Sequence, residues 1–115
     1  MPAGMSLVRF ELAEGVEARE PVRPGATFPV GTKVYAFLEL GNEAGAPTAL
    51  LVKFEREGAK PAKSLRLEVP TMERYRTQAF TVSTTKPGRY QCSVTTETGE
   101  LVAQKAFEIT EAAAP

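Results

Sequence analysis

Few side chains in this 115-residue chain are able to do chemistry. There is one cysteine, Cys92, with no histidine and no aspartate. Lacking histidine, the chain lacks the commonest general base, the commonest metal ligand and the usual pH switch. One thiol and no imidazole leave only an oxygen-ligand metal site, and no spaced run of acidic or amide residues builds one. No catalytic residue, metal or cofactor is therefore expected. Cys92 shares parity with Tyr90 and Val94 along RYQCSVTT (Arg89–Thr96). With no base to activate it, it reads as a buried structural thiol rather than a nucleophile. A lone cysteine forms no intrachain disulfide, which fits a reducing compartment. The hydroxyls of TVSTT and SVTTETG are those of good strand formers rather than nucleophiles.

Binding chemistry is better represented. Arg74 and Arg76 share one face of a strand, with Arg89 possible on a neighbour. Together they could hold a carboxylate, a phosphate or an acidic partner surface. The competing reading is a solvated face, cross-strand paired with glutamates. Tyr35 and Phe37 lie on the face of their strand opposite its aliphatic residues. If uncovered, they form an apolar patch that marks a dimer or partner surface; otherwise a second layer, or the proline loop with Phe28, covers them. Arg19-Glu20-Pro21 reads as a local tie that pins this loop through a charge pair, with recognition as the alternative.

These residues need a scaffold, and the apolar pattern supplies one. KVYAFLELGN (Lys33–Asn42) is the densest apolar run. Val34, Ala36, Leu38 and Leu40 share one parity and Tyr35, Phe37 and Glu39 the other, as a strand requires. A strand apolar on both sides is central. After the loop GNEAGAPT, Leu50, Val52 and Phe54 alternate through the next segment, which the pattern places antiparallel beside the first.

The remaining chain continues this way. Ser6–Ala13 sets Val8, Phe10 and Leu12 on a dry face, and Val16–Glu20 extends along an edge. Pro21, Pro24 and Pro29 make the next segment a loop or sheet edge, with Phe28 plugging the end of the core. Ser64–Val69 turns Leu65, Leu67 and Val69 inward. Thr71–Glu73 reads as a short helical turn. In Arg74–Val82 a bulge near Gln78–Ala79 would turn Tyr75 and Phe80 both inward. Arg89–Thr96 and Glu100–Thr110 form a hairpin around Gly99, with Leu101, Ala103, Phe107 and Ile109 of one parity. About seven strands joined by Gly/Pro turns predict an all-β fold, an antiparallel β-sandwich of immunoglobulin or fibronectin III type, with an eight-stranded or partly closed barrel as the alternative. Residues 1–5 read as a leader, 6–110 as one domain and 111–115 as a frayed tail.

The order of four segments resembles a known family. AREPVRPG (Ala18–Gly25), KVYAFLEL (Lys33–Leu40), RYRTQAFTV (Arg74–Val82) and GRYQCSVTTETGELVAQKAFEI (Gly88–Ile109) are similar to DUF2914, a bacterial domain of unknown function. The resemblance spans about Arg19 to Ile109. It departs where the family tends to carry His and Trp, since this chain has Leu51 and Lys53, and it has Tyr90 where a Trp is frequent. The resemblance implies a β-sandwich with an accessory role, often attached to other modules or to the envelope, and no chemistry.

Fourteen basic residues balance fourteen acidic ones, so no net field selects nucleic acid or an anionic membrane. No apolar run is long enough to span a bilayer, and no export signal opens the chain. The expectation is a non-enzymatic module, cytoplasmic or an extracytoplasmic domain of an envelope protein. It would bind a protein partner or a second copy of itself through a sheet face or edge. A small-ligand or carbohydrate-binding sandwich is the alternative, with Tyr35, Phe37, Arg74, Arg76 and Arg89 the candidate contacts in either case.

Overall fold

A computed structural model describes residues 4–43, 45–59, 64–82 and 84–111. It is all-β. Among the described residues nine strands form: β1 (Met5–Glu17), β2 (Glu20–Pro24), β3 (Thr27–Pro29), β4 (Val34–Asn42), β5 (Thr48–Arg56), β6 (Leu65–Val69), β7 (Met72–Thr81), β8 (Gly88–Thr96) and β9 (Leu101–Thr110). One sheet has the order β2-β1-β4-β7 and the other β3-β9-β8-β5-β6. Two short strands account for the count above seven. Both lie in the proline segment, and both are sheet edges. An edge strand is where a sheet tolerates proline, which has no N–H to give to a ladder.

β4 is the organising strand. It pairs antiparallel with β1 and β7. Val34, Ala36, Leu38 and Leu40 are fully buried and face Leu50, Val52, Val94 and Cys92 of the other sheet in one apolar cluster. Fully burying a valine or leucine side chain stabilises by roughly 1.5–3 kcal/mol. The pairing of β4 with β5 is a correction. The two strands lie in opposite sheets, so their apolar faces meet across the core and not side by side. Asn42 sits at the crossing. Its buried side-chain amide donates to the Ala46 and Val69 carbonyls, both at 3.1 Å, and ties the β4–β5 connection to the end of β6.

Other departures have local causes. A register shift between Leu7 and Arg9 leaves Val8 as the extra residue, turned outward. Met5, read as leader, is buried and opposite Asn42 at the start of β1. Met1, Pro2, Ala3 and the tail beyond Glu111 lie outside the described residues. β6 is an edge strand, so Leu65 is exposed and Leu67 half-buried while Val69 is buried. Met72 and Glu73 are strand, not helix, because β7 pairs with β4 from its first residue. Leu101 is also exposed, beside a register shift at Val94–Thr95. Phe28 plugs the core as expected: β3 runs parallel to β9 and sets its ring edge-on to Phe107, centroids 6.2 Å apart.

Candidate functional site

The outer face of the four-stranded sheet carries most of the candidate residues, and the ladder register arranges them in rows. At one end, Pro24 faces Ala13, Ala13 faces Tyr35, and Tyr35 faces Phe80, an apolar row across all four strands. The Tyr35 and Phe80 rings tilt together at 5.4 Å, with the Lys33 ammonium 4.5 Å from the Phe80 centroid. Phe80 remains 47% exposed, and Val82 just beyond β7 is 61% exposed. In the next row Phe37 lies between Glu11 and Gln78. In the third, Glu39 lies between Arg9 and Arg76.

The third row is the electrostatic centre. Arg74 Nη1 donates to Glu39 Oε2 at 2.8 Å, and Arg76 Nε sits 3.2 Å from Glu39 Oε1. Arg76 Nη1 also donates to Glu20 at 2.7 Å, and Arg9 bonds both Glu20 and Glu11. The result is an alternating chain, Glu11–Arg9–Glu20–Arg76–Glu39–Arg74. The hydrogen bond from Arg74, supported by the charges of Arg76 and Arg9, holds the Glu39 carboxyl below the usual glutamate range although its burial works the other way. Glu20 is lowered in the same sense, first by the bond from Arg9.

This chain of charges requires the β1–β2 hairpin to fold back. Arg9 and Glu17 are eight residues apart in β1, roughly 26 Å if extended. Glu17 faces Glu20 at the hairpin end. A straight hairpin would carry Glu20 far beyond the reach of Arg9 and of Arg76. Both bonds exist, and Arg76 also donates to the Arg19 carbonyl at 2.9 Å. The hairpin tip therefore curls over the outer face. Its two-residue turn, Ala18 and Arg19, has φ of 50° and 61°, the doubly left-handed form that matches strand twist.

The sequence-derived candidates separate accordingly. Phe37 is corrected: it is fully buried, with the Arg9 guanidinium 5.2 Å above its ring, and offers no binding surface. The charge-capped outer layer takes the covering role that the sequence left open. Tyr35 is half-buried and contributes through its contact with Phe80. Arg74 and Arg76 share a face as read, but their guanidinium groups are engaged by Glu39 and Glu20. Arg89 does not join them. It lies on the outer face of the opposite sheet, in β8, 3.9 Å from Glu57. An open groove of about 570 Å³ runs there between Arg56, Glu57, Arg89 and Gln91. Glu20 does form a charge pair, as expected, but its partners are Arg9 and Arg76, and what they pin is the tip of the β1–β2 hairpin rather than the proline segment.

Phe80 and Val82 were missed as surface residues. The register between β4 and β7 is continuous from Val34–Thr81 to Leu40–Tyr75, so the bulge placed at Gln78–Ala79 is absent, and Phe80 points outward with Arg74 and Arg76. Their shared even numbering was the signal. Cys92 is fully buried, and burial alone pushes its thiol up to about 12.

No family model matches the chain, and no curated protein matches it. Solved structures do. The chain is similar to part of the Pseudomonas fluorescens alkylpurine DNA glycosylase AlkC bound to DNA containing an abasic site analog, with TM-score 0.60, 17% identity, 93% of this chain and 30% of that chain. It is also similar to part of the Listeria innocua β-glucosidase in complex with gluconolactone, with TM-score 0.59, 9% identity, 91% of this chain and 15% of that chain. At these identities the likeness concerns the fold. The chain spans less than a third of either protein.

Proposed function

We propose that this chain is a non-catalytic interaction module that binds a protein partner, or a second copy of itself, through the outer face and open edge of its four-stranded sheet. The observation that carries this reading is the apolar row Pro24–Ala13–Tyr35–Phe80, which ends at the edge strand with Phe80 half-exposed and Val82 beside it. Exposed aromatic area at a sheet edge is what partner strands and partner side chains use. The two solved structures support a modular role, because each contains this fold as a minor share of a longer enzyme. The resemblance of four segments to DUF2914 points the same way.

Among sandwiches, we infer the fibronectin type III arrangement. Without the two short edge strands, the order is β1-β4-β7 opposite β9-β8-β5-β6. Tyr90 adds support: its hydroxyl donates to the Lys86 carbonyl at 2.7 Å, and it stands two residues before Cys92 near the start of β8. The arrangement resembles the tyrosine corner of immunoglobulin-like sandwiches and supports this reading. No helix among the described residues is long and apolar enough to cross a membrane.

The test is affinity capture from a bacterial lysate with the wild-type chain and a Phe80→Ser/Val82→Ser variant. A protein retained by the first and released by the second supports the module. Equal capture by both, or a monomer that captures nothing, overturns it.

A further inference from the structure

Four edges bound the two sheets, and three are defended. β2 has five residues and carries Pro21 and Pro24. β3 has three and ends in Pro29. β6 has five residues. Short strands and prolines are the usual devices that stop sheets from adding strands. β7 has neither. It runs for ten residues, MERYRTQAFT, contains no proline or lysine, and among the described residues pairs on one side only, with β4.

We propose that β7 is a homodimerisation edge, pairing antiparallel with β7 of a second copy to continue the two four-stranded sheets into one. This rests on the interaction-module reading and names its partner. The argument is self-complementarity. On the outer face, β7 presents Arg74 and Arg76 in its first half and Phe80 in its second, with Val82 beyond. A two-fold axis through the sheet at Thr77 reverses this order. Arg74 then stands opposite the second copy's Phe80, Arg76 opposite its Gln78, and Met72 opposite its Val82. Residues opposite each other share a face, so the axis must fall on a residue if outer face is to meet outer face. Here that register sets guanidinium against aromatic ring and apolar against apolar, with no like charges opposed. Arg74 is free to reach across, since its side chain is 60% accessible even while bonded to Glu39. A foreign strand could add to the edge, but nothing requires it to match this order. The balance of fourteen acidic and fourteen basic residues leaves no net repulsion between copies.

The experiment uses the whole chain. Sedimentation velocity over a concentration series reads a dimer for wild type. Phe80→Lys opposes Arg74 with a like charge and weakens the dimer by about tenfold or more. Adding Arg74→Gln removes the opposed charge while keeping an amide donor beside Glu39, and restores the dimer; thermal melts check that both variants fold. Thr77→Cys places the new thiol beside its own copy, within the roughly 4.4–6.8 Å Cα separation a disulfide spans. Mild oxidation then gives a covalent dimer, while Cys92 stays buried. A monomeric wild type, unchanged association of Phe80→Lys, or no cross-link from Thr77→Cys overturns the proposal. A wild-type monomer that still captures a protein through Phe80 and Val82 keeps the module reading. One that captures nothing loses both.

Discussion

Arg76 donates to the main-chain oxygen of Arg19 at 2.9 Å, joining the edge strand β7 to the tip of the N-terminal hairpin. The same guanidinium bonds Glu20 and Glu39. One side chain thus holds the fold-over that buries Phe37.

Acid should loosen this layer. Glu39 and Glu20 have folded values below their unfolded ones. Their contribution is present above the unfolded glutamate value, about 4.3. It is lost as pH falls from there through the lowered folded values. Denaturant unfolding at a series of pH values should show stability falling below that point. Glu39→Gln should be less stable than wild type at neutral pH and show a shallower acid loss. An identical pH profile for the two would exclude this role.

The hairpin turn is strained by its residue types. Ala18 and Arg19 both occupy left-handed conformations that cost a side-chain-bearing residue about 1–2 kcal/mol. Ala18→Asn with Arg19→Gly supplies the favoured pair for such a turn. The bond from Arg76 is made to the main chain, so it survives. The double variant should gain about 1 kcal/mol or more, read as a raised denaturation midpoint.

Gly41 has no room for a methyl group. A Cβ there would stand 2.8 Å from the Glu73 carbonyl oxygen and 2.9 Å from Ser6 Oγ. The serine can rotate, but the carbonyl belongs to β7. Gly41→Ala should cost about 1–3 kcal/mol. Unchanged stability would mean that β4 and β7 separate there without penalty.

Tyr90→Phe leaves the ring, stacked 5.3 Å from Phe107, and removes the hydroxyl that holds Lys86. The expected loss is about 1–2 kcal/mol in urea unfolding, with the fold retained by circular dichroism.

Cys92 should be unreactive toward thiol reagents in the native state and fully reactive in denaturant. Its folded value, about 12, lies above the unfolded one, so its contribution holds at neutral pH and fades as pH rises past the ordinary thiol value of roughly 8.5. Rapid native labelling at pH 7.5 would contradict the burial.

Parity was enough to read the aliphatic face of β4, and Tyr90, Cys92 and Val94 of β8, because a strand with one buried face repeats every second residue. It failed at Val8, where one extra residue reverses the count. It also failed for β4 and β5. Two apolar strands joined by a short loop pair in a hairpin or face each other across a core, and the pattern is the same. The bond from Asn42 to Val69 belongs to the second arrangement, and such bonds join residues far apart in sequence, where parity does not reach. Phe37 was legible as apolar but not as covered, since its cover is a guanidinium from β1 held by charges from β2 and β7.

The parallel pairing of β3 with β9 has a consequence for synthesis. Phe28 packs on Phe107 and lies opposite Ile109, so its shelter is made about 80 residues later (107 − 28 = 79). At ordinary rates of about 5–20 residues per second, the ribosome takes roughly 4–16 s to supply that strand. Until then Phe28 has no Phe107 to pack against, although β5 and β8, whose core residues face β4, are already made. The end of the core that Phe28 plugs therefore closes only once β9, the last of the described strands, is made, and in that interval the Phe28 ring depends on the cell for protection.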